Sequence, residues 1–291
     1  MNGILIVDKP EYWTSHDVVA KLRNTLKVKR IGHGGTLDPM ATGVLPIFIG
    51  RATRAAQFSE NAQKEYVVGL RLGLVTDTQD ITGSILKISK ESVTVEKLET
   101  ILNTFRGAQK QIPPMYSAIK KDGKKLYELA RKGIEVERAP RDIYISEITL
   151  LGKSDSDYTI RISCSKGTYI RTICHDIGSA LGCGGTMSSL RRTRAGPFEI
   201  KAAHPLDKVL EYAVSDSMSQ ILLPVDSLFP EHPVIALGEH ATRKLKNGAI
   251  DNIKGAEDGF YRLYGANGEF LALAEIVEGK TNIIKGFFMP I

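Results

Sequence analysis

The sequence is poor in cysteine and has no long apolar run, and each absence narrows what it can be. Its three cysteines, Cys164, Cys174 and Cys183, are an odd number with no CxxC pair. A disulfide framework and a zinc site are therefore not expected, and a reducing compartment is the simpler reading. Near the amino terminus the apolar run is only Ile4-Leu5-Ile6-Val7, closed by Asp8-Lys9-Pro10. That is too short for a signal-peptide core or a membrane span, so a cytoplasmic protein with no membrane partner is expected. Low-complexity tracts and internal repeats are missing, which leaves little room for disorder. The glycine-rich stretch lacks both GxGxxG and GxxxxGK, so no nucleotide cofactor is indicated.

What is present is an ordinary globular composition: 291 residues, 42% hydrophobic and 25% charged. That length suits one large domain, or one with a small companion. The formal net charge of +6 favours polyanionic partners, because Lys and Arg displace the counterions condensed on phosphates.

Ile4 to Val7 reads as a buried strand. A helix follows from about Ser15, with Val18, Val19, Leu22 and Leu26 on one stripe and Thr14 or Ser15 as its cap. Ile31 to Gly50 carries five glycines and two prolines, too many breakers for a regular element, and is expected to be a loop with a function. Tyr66, Val68, Leu70 and Leu72 alternate as one face of a strand. Helices are expected over 94–106, 126–132 and 168–181, and strands over 143–150 and 158–164, hinged on the polar segment 153–157. Strands and helices mix without βαβ alternation, so the fold class is α+β around a mixed, mostly antiparallel sheet flanked by helices. Pro230 and Pro233 bracket a linker. Residues 1–229 are expected to form the main domain and 230–291 a small β-rich one.

The strongest chemical signal is Gly32-His33-Gly34-Gly35-Thr36-Leu37-Asp38-Pro39-Met40-Ala41-Thr42-Gly43-Val44-Leu45-Pro46. An isolated Asp-Pro is usually a turn. An aspartate held among this many glycines, five positions after a histidine, fits a positioned catalytic group better. Cys174-His175-Asp176 is not a triad, because consecutive helical residues point in different directions.

The loop resembles the signature GHxGxLDPxATGxLP of the bacterial tRNA pseudouridine synthase B family, with every fixed position present. The resemblance runs along nearly the whole chain. It takes in Asp8-Lys9-Pro10, Thr14-Ser15-His16-Asp17, Lys64-Glu65-Tyr66, Thr76-Asp77-Thr78, Gln111-Ile112-Pro113-Pro114, Lys166-Gly167-Thr168-Tyr169-Ile170-Arg171 and Leu190-Arg191-Arg192.

That resemblance implies an isomerase with the pseudouridine-synthase fold. It would convert uridine-55 in the T-loop of tRNA to pseudouridine after flipping the nucleotide outward. It makes Asp38 the catalytic carboxylate and Arg171 the arginine paired with it, and Tyr66 the active-site tyrosine that stacks on the base and moves a proton. Tyr169 and Leu190 would line the uridine pocket, His33 would touch the RNA around the extruded nucleotide, and Lys9 would shape the site. The reaction is redox-neutral and breaks no phosphate bond, so neither cofactor nor metal is implied. Basic segments at 120–125 and 191–194 are candidate phosphate contacts or plain solvated surface. Residues 230–291 would be a PUA-like RNA-binding domain reaching towards the acceptor stem, in a monomer. The competing readings are a guide-RNA-dependent synthase, an RNA chaperone on the same fold, and a base-releasing hydrolase. The last lacks the paired carboxylates that chemistry uses.

Overall fold

The computed structural model describes residues 1–154 and 156–288. Asp155, in the expected turn between two strands, and Met289, Pro290 and Ile291, at the end of the C-terminal stretch, lie outside the described residues. The chain divides into two compact units. The first holds Met1–Asp38, Val44–Glu60 and the chain from Gly196 onward, and the second holds Pro39–Gly43 and Asn61–Ala195.

In the first unit the strand Gly3–Lys9 is buried along nearly its whole length and runs parallel to His204–Pro205. The helix Ser15–Leu26 opens with a capping box. Thr14 Oγ1 accepts from the Asp17 amide while the Asp17 carboxylate accepts from the Thr14 amide. Such a cap is worth about 1 kcal/mol, and the helix buries Val18, Val19 and Leu22 beneath it.

The segment 31–50 departs from the expectation of an irregular loop. Ile31–His33 is a short strand, and Thr42–Ile49 is a strand despite Gly43 and Pro46; the two pair antiparallel, Ile31 opposite Ile49 and His33 opposite Ile47. The reason is burial: Val44, Leu45, Ile47, Phe48 and Ile49 are completely enclosed. At about 1.5–3 kcal/mol per buried side chain, these five outweigh the local cost of a glycine and a proline. The irregular part shrinks to residues 34–41.

Later in this unit come a helix the sequence reading did not anticipate, Leu206–Val214, and a sheet ordered Val234–Ala236, Gly259–Tyr264, Phe270–Val277, Lys280–Gly286. Leu237, Leu245, Leu263 and Leu271 fill its core beside the helix Glu239–Lys246. Phe229, the last residue before the expected linker, packs edge-on against Phe58 and also against Phe270 and Phe287.

The second unit is built on an antiparallel sheet ordered Gly107–Gln111, Arg141–Lys153, Tyr158–Cys164, Lys64–Leu72, Gly185–Ala195. Thr42–Gly43 runs parallel to Arg191–Arg192. The helices Val95–Thr104 and Ile170–Leu181 accompany it, the latter burying Ile173, Cys174, Ile177 and Leu181. Gly107–Gln111 and the small hairpin Leu74–Thr76 with Ile85–Ile88 escaped the sequence reading. The first is a polar strand and the second exposes its apolar residues, so neither shows the usual half-buried alternation. The mixed, mostly antiparallel α+β architecture is as expected.

Candidate active site

Asp38 lies on the irregular segment and is half-buried, with its surroundings rigidly tied. One residue earlier, both main-chain groups of Leu37 are held by Ser15. Its Oγ accepts from the Leu37 amide at 2.8 Å and donates to the Leu37 carbonyl at 3.2 Å, in a fully buried position. Gly34 is fixed in the same way: its amide donates to the Pro46 carbonyl at 2.8 Å and its carbonyl accepts from Ser59 Oγ at 3.2 Å. A Cβ on Gly34 would lie 2.4 Å from Ser59 Oγ and 2.7 Å from the Phe48 ring, so only glycine fits. In the second unit Gly43, at φ 103°, leaves 2.2 Å between a hypothetical Cβ and the Arg192 carbonyl oxygen. The glycine density thus admits close approach of the protein's own backbone. In the first unit the main chain leading to Asp38 is thus tied at Gly34 and at Leu37.

The same unit as Asp38 holds His33 and Lys9. His33 packs against the His16 ring, centroids 5.2 Å apart and nearly perpendicular. Lys9 is completely enclosed, and its ammonium donates to the carbonyls of Pro10 at 2.8 Å and Trp13 at 2.6 Å. It therefore shapes the turn that leads into the Ser15 helix.

In the second unit the ladder sets Tyr66 opposite Arg192 and Val68 opposite Leu190. Directly opposed residues share a face, so Tyr66, Arg192 and Leu190 form one cluster, bounded beyond Tyr66 by Ile162. Arg192 is 1% exposed, and its guanidinium is hydrogen-bonded to Tyr66. Burial pushes its pKa down and the phenolic oxygen pulls it back up. Part of the basic run 191–194, a candidate for phosphate contact, is thus interior instead. Its neighbours are engaged as well: Thr193 Oγ1 donates to Glu65 at 2.6 Å, and Arg191 Nη1 to Thr42 Oγ1 at 3.2 Å.

Arg171 sits in the first turn of its helix and is buried, with Nη1 3.6 Å from Asp80 Oδ2. A cation there opposes the helix dipole, and Asp80 offsets that cost. The other oxygen of Asp80 accepts from Thr78 Oγ1 at 2.9 Å, the Thr82 amide at 3.0 Å and Thr82 Oγ1 at 2.5 Å. Thr172 Oγ1 donates to Gln79 Oε1 at 2.8 Å. Tyr169 caps that helix from an extended conformation and is clamped through its main chain. Its amide donates to Gln111 Oε1 at 2.8 Å and its carbonyl accepts from Gln111 Nε2 at 3.0 Å.

Asp80, Gln111 and Arg192 are the supporting residues that sequence reasoning missed. All three lay beside or inside quoted motifs, after Thr76-Asp77-Thr78, in Gln111-Ile112-Pro113-Pro114 and in Leu190-Arg191-Arg192, but burial of a polar side chain has no local signal.

The first unit thus offers a partly open carboxylate on a tied segment, and the second, taken by itself, a phenol hydrogen-bonded to a buried guanidinium and an arginine oriented by an aspartate. The fold is that of a pseudouridine synthase, an isomerase. The chain belongs to the TruB family of pseudouridylate synthases: the N-terminal domain profile of that family matches residues 23–170. The tRNA pseudouridylate synthase B C-terminal domain profile matches residues 171–230. A tRNA pseudouridine synthase B from Francisella philomiragia is 43% identical over 99% of this chain and 95% of its own. One from Syntrophomonas wolfei is 44% identical over 94% and 93%. Among solved structures, a chain of a Cbf5–Nop10–Gar1 complex superimposes with a TM-score of 0.77 at 27% identity, covering 99% of this chain and 85% of that one.

Proposed function

We propose that this protein converts uridine-55 in the T-loop of tRNA to pseudouridine, with Asp38 as the catalytic carboxylate. The observation that carries the reading is Asp38 itself, half-open on a segment fixed through both main-chain groups of Leu37 and of Gly34. The relatives that share more than two-fifths of its residues over almost their full length are named for action on tRNA. That supports a stand-alone tRNA enzyme over the guide-RNA reading; the chain of the Cbf5–Nop10–Gar1 complex shares 27% of its residues.

The reaction breaks the N1–C1′ bond, turns the base, and joins C5 to C1′; C5 loses a proton and N1 gains one. The ionised Asp38 opens it beside the ribose, as nucleophile at C1′ or as base. Tyr66, hydrogen-bonded to the buried Arg192, stacks on the turned base and moves the C5 proton. Arg171, oriented by Asp80, supplies positive charge for the anionic groups of the reaction. Tyr169 and Leu190 wall the flipped base, replacing the stacking it gives up, while His33 and the turn held by Lys9 meet the surrounding RNA.

The exposed lysines Lys120, Lys121 and Lys124 of the hairpin Lys120–Lys121 with Lys124–Lys125 take T-arm phosphates. Residues 230–291 act as a PUA-like contact towards the acceptor stem. The enzyme works as a cytoplasmic monomer. Incubation with an unmodified tRNA transcript, followed by chemical labelling and primer extension, tests the substrate. A stop at position 55 is expected, and modification confined to other positions overturns the assignment.

A further inference from the structure

Tyr12 is the most conspicuous unexplained side chain on the first unit. It is 82% exposed and sits at φ 66°, in the left-handed region that residues with a Cβ rarely adopt. A ring this exposed gains little from packing, so strain there points to a use outside the folded chain.

The turn that carries it is built to stay put. The enclosed Lys9 ammonium grips the carbonyls of Pro10 and Trp13, the two ends of Pro10-Glu11-Tyr12-Trp13. The Thr14–Asp17 capping box fixes the exit of that turn. Ser15, three residues after Tyr12, is the side chain that holds both main-chain groups of Leu37, next to Asp38. Three residues span at most about 10 Å, so with one hydrogen bond and one further residue Tyr12 lies within roughly 20 Å of Asp38.

We propose that Tyr12 is a fixed base-stacking platform for the RNA substrate, at the shoulder of the loop that carries Asp38. The proposal rests on the pseudouridine synthase reading above. Its chemistry is general: every nucleobase presents a π-face, and stacking on an exposed ring needs no hydrogen-bond readout. A preset turn lets the ring meet the RNA without ordering a mobile loop first.

The test exploits the backbone. Glycine is at ease at φ 66°, so Tyr12→Gly removes the ring while leaving the fold at least as stable. Binding of a fluorescent T-arm hairpin to the full-length protein is titrated for the wild type, Tyr12→Phe, Tyr12→Leu and Tyr12→Gly, with thermal melts and pseudouridine yield alongside. The expected result is wild-type affinity for Tyr12→Phe, and affinity roughly five- to a hundred-fold weaker for Tyr12→Leu and Tyr12→Gly. Melting temperatures should be unchanged or raised for Tyr12→Gly, and the salt slope unaltered because no phosphate contact is lost. Wild-type affinity in Tyr12→Gly, or full retention by Tyr12→Leu, overturns the stacking platform. Absence of pseudouridine from tRNA treated with the wild type is a different failure, that of the functional reading itself.

Discussion

Replacing Ser15 by alanine asks whether the hydrogen bonds at Leu37 position the Asp38 carboxylate for the proposed reaction or merely hold the fold. The substitution removes one acceptor at 2.8 Å and one donor at 3.2 Å and strands the amide and carbonyl of a buried residue. A buried main-chain group left unsatisfied costs about 1–3 kcal/mol, so two of them, partly relaxed, destabilise by about 2–4 kcal/mol. The same loss frees the segment beside Asp38, and a misplacement of about 1 Å at a reacting group costs on the order of 100-fold in rate. Thr14→Ala is the control: it loses a cap worth about 1 kcal/mol on the same helix but no bond to Leu37. Urea unfolding gives the stability change, and single-turnover tritium release from C5-labelled uridine in tRNA, at saturating enzyme, gives the rate. Ser15→Ala should fall on both readouts and Thr14→Ala chiefly on the first. A destabilised Ser15→Ala protein that turns over at the wild-type rate would show that these bonds do not position Asp38.

Asp80→Asn keeps an oxygen for Thr78 and Thr82 but withdraws the negative charge facing Arg171. Breaking a buried pair from one side costs about 3 kcal/mol; kcat should fall with KM nearly constant, and steady-state kinetics with urea melts will read both. The thiol of Cys164 offers a pH test, since burial pushes its pKa up to about 11 from 9.0. Between those values the unfolded chain gives up a proton that the folded chain keeps, so stability is full below about pH 9 and declines as pH rises towards about 11. At about pH 10 the difference is on the order of 1 kcal/mol. Urea melts at about pH 8 and about pH 10 should show a correspondingly larger alkaline loss in the wild type than in Cys164→Ala.

The sequence revealed the position of the glycine-rich segment around Asp38 more readily than its construction. The run from Gly32 to Pro46 around Asp38 could be read because Gly34 and Gly43 tolerate no side chain, and a backbone demand of that kind shows as a residue type. The strand Thr42–Ile49 was hidden by the same punctuation, because Gly43 and Pro46 look like breakers until the enclosed side chains around them override them. Helices with one apolar stripe, such as Ser15–Leu26 and Ile170–Leu181, were visible from spacing alone. The interior charges were not. Lys9, Asp80 and Arg192 carry the labels of surface residues, and only the tertiary structure encloses them with carbonyls, hydroxyls and a phenol. Sequence periodicity reports which apolar side chains face inward, and it says nothing about a polar one that has found its partners.

The most direct check on the role of Asp38 is tritium release from C5-labelled uridine in full-length tRNA by Asp38→Asn protein, with hairpin affinity measured alongside. RNA binding should persist, and release should stay at background even in a single turnover. Release at the wild-type rate from a variant that binds normally would contradict that role, since no step could then depend on a carboxylate at that position.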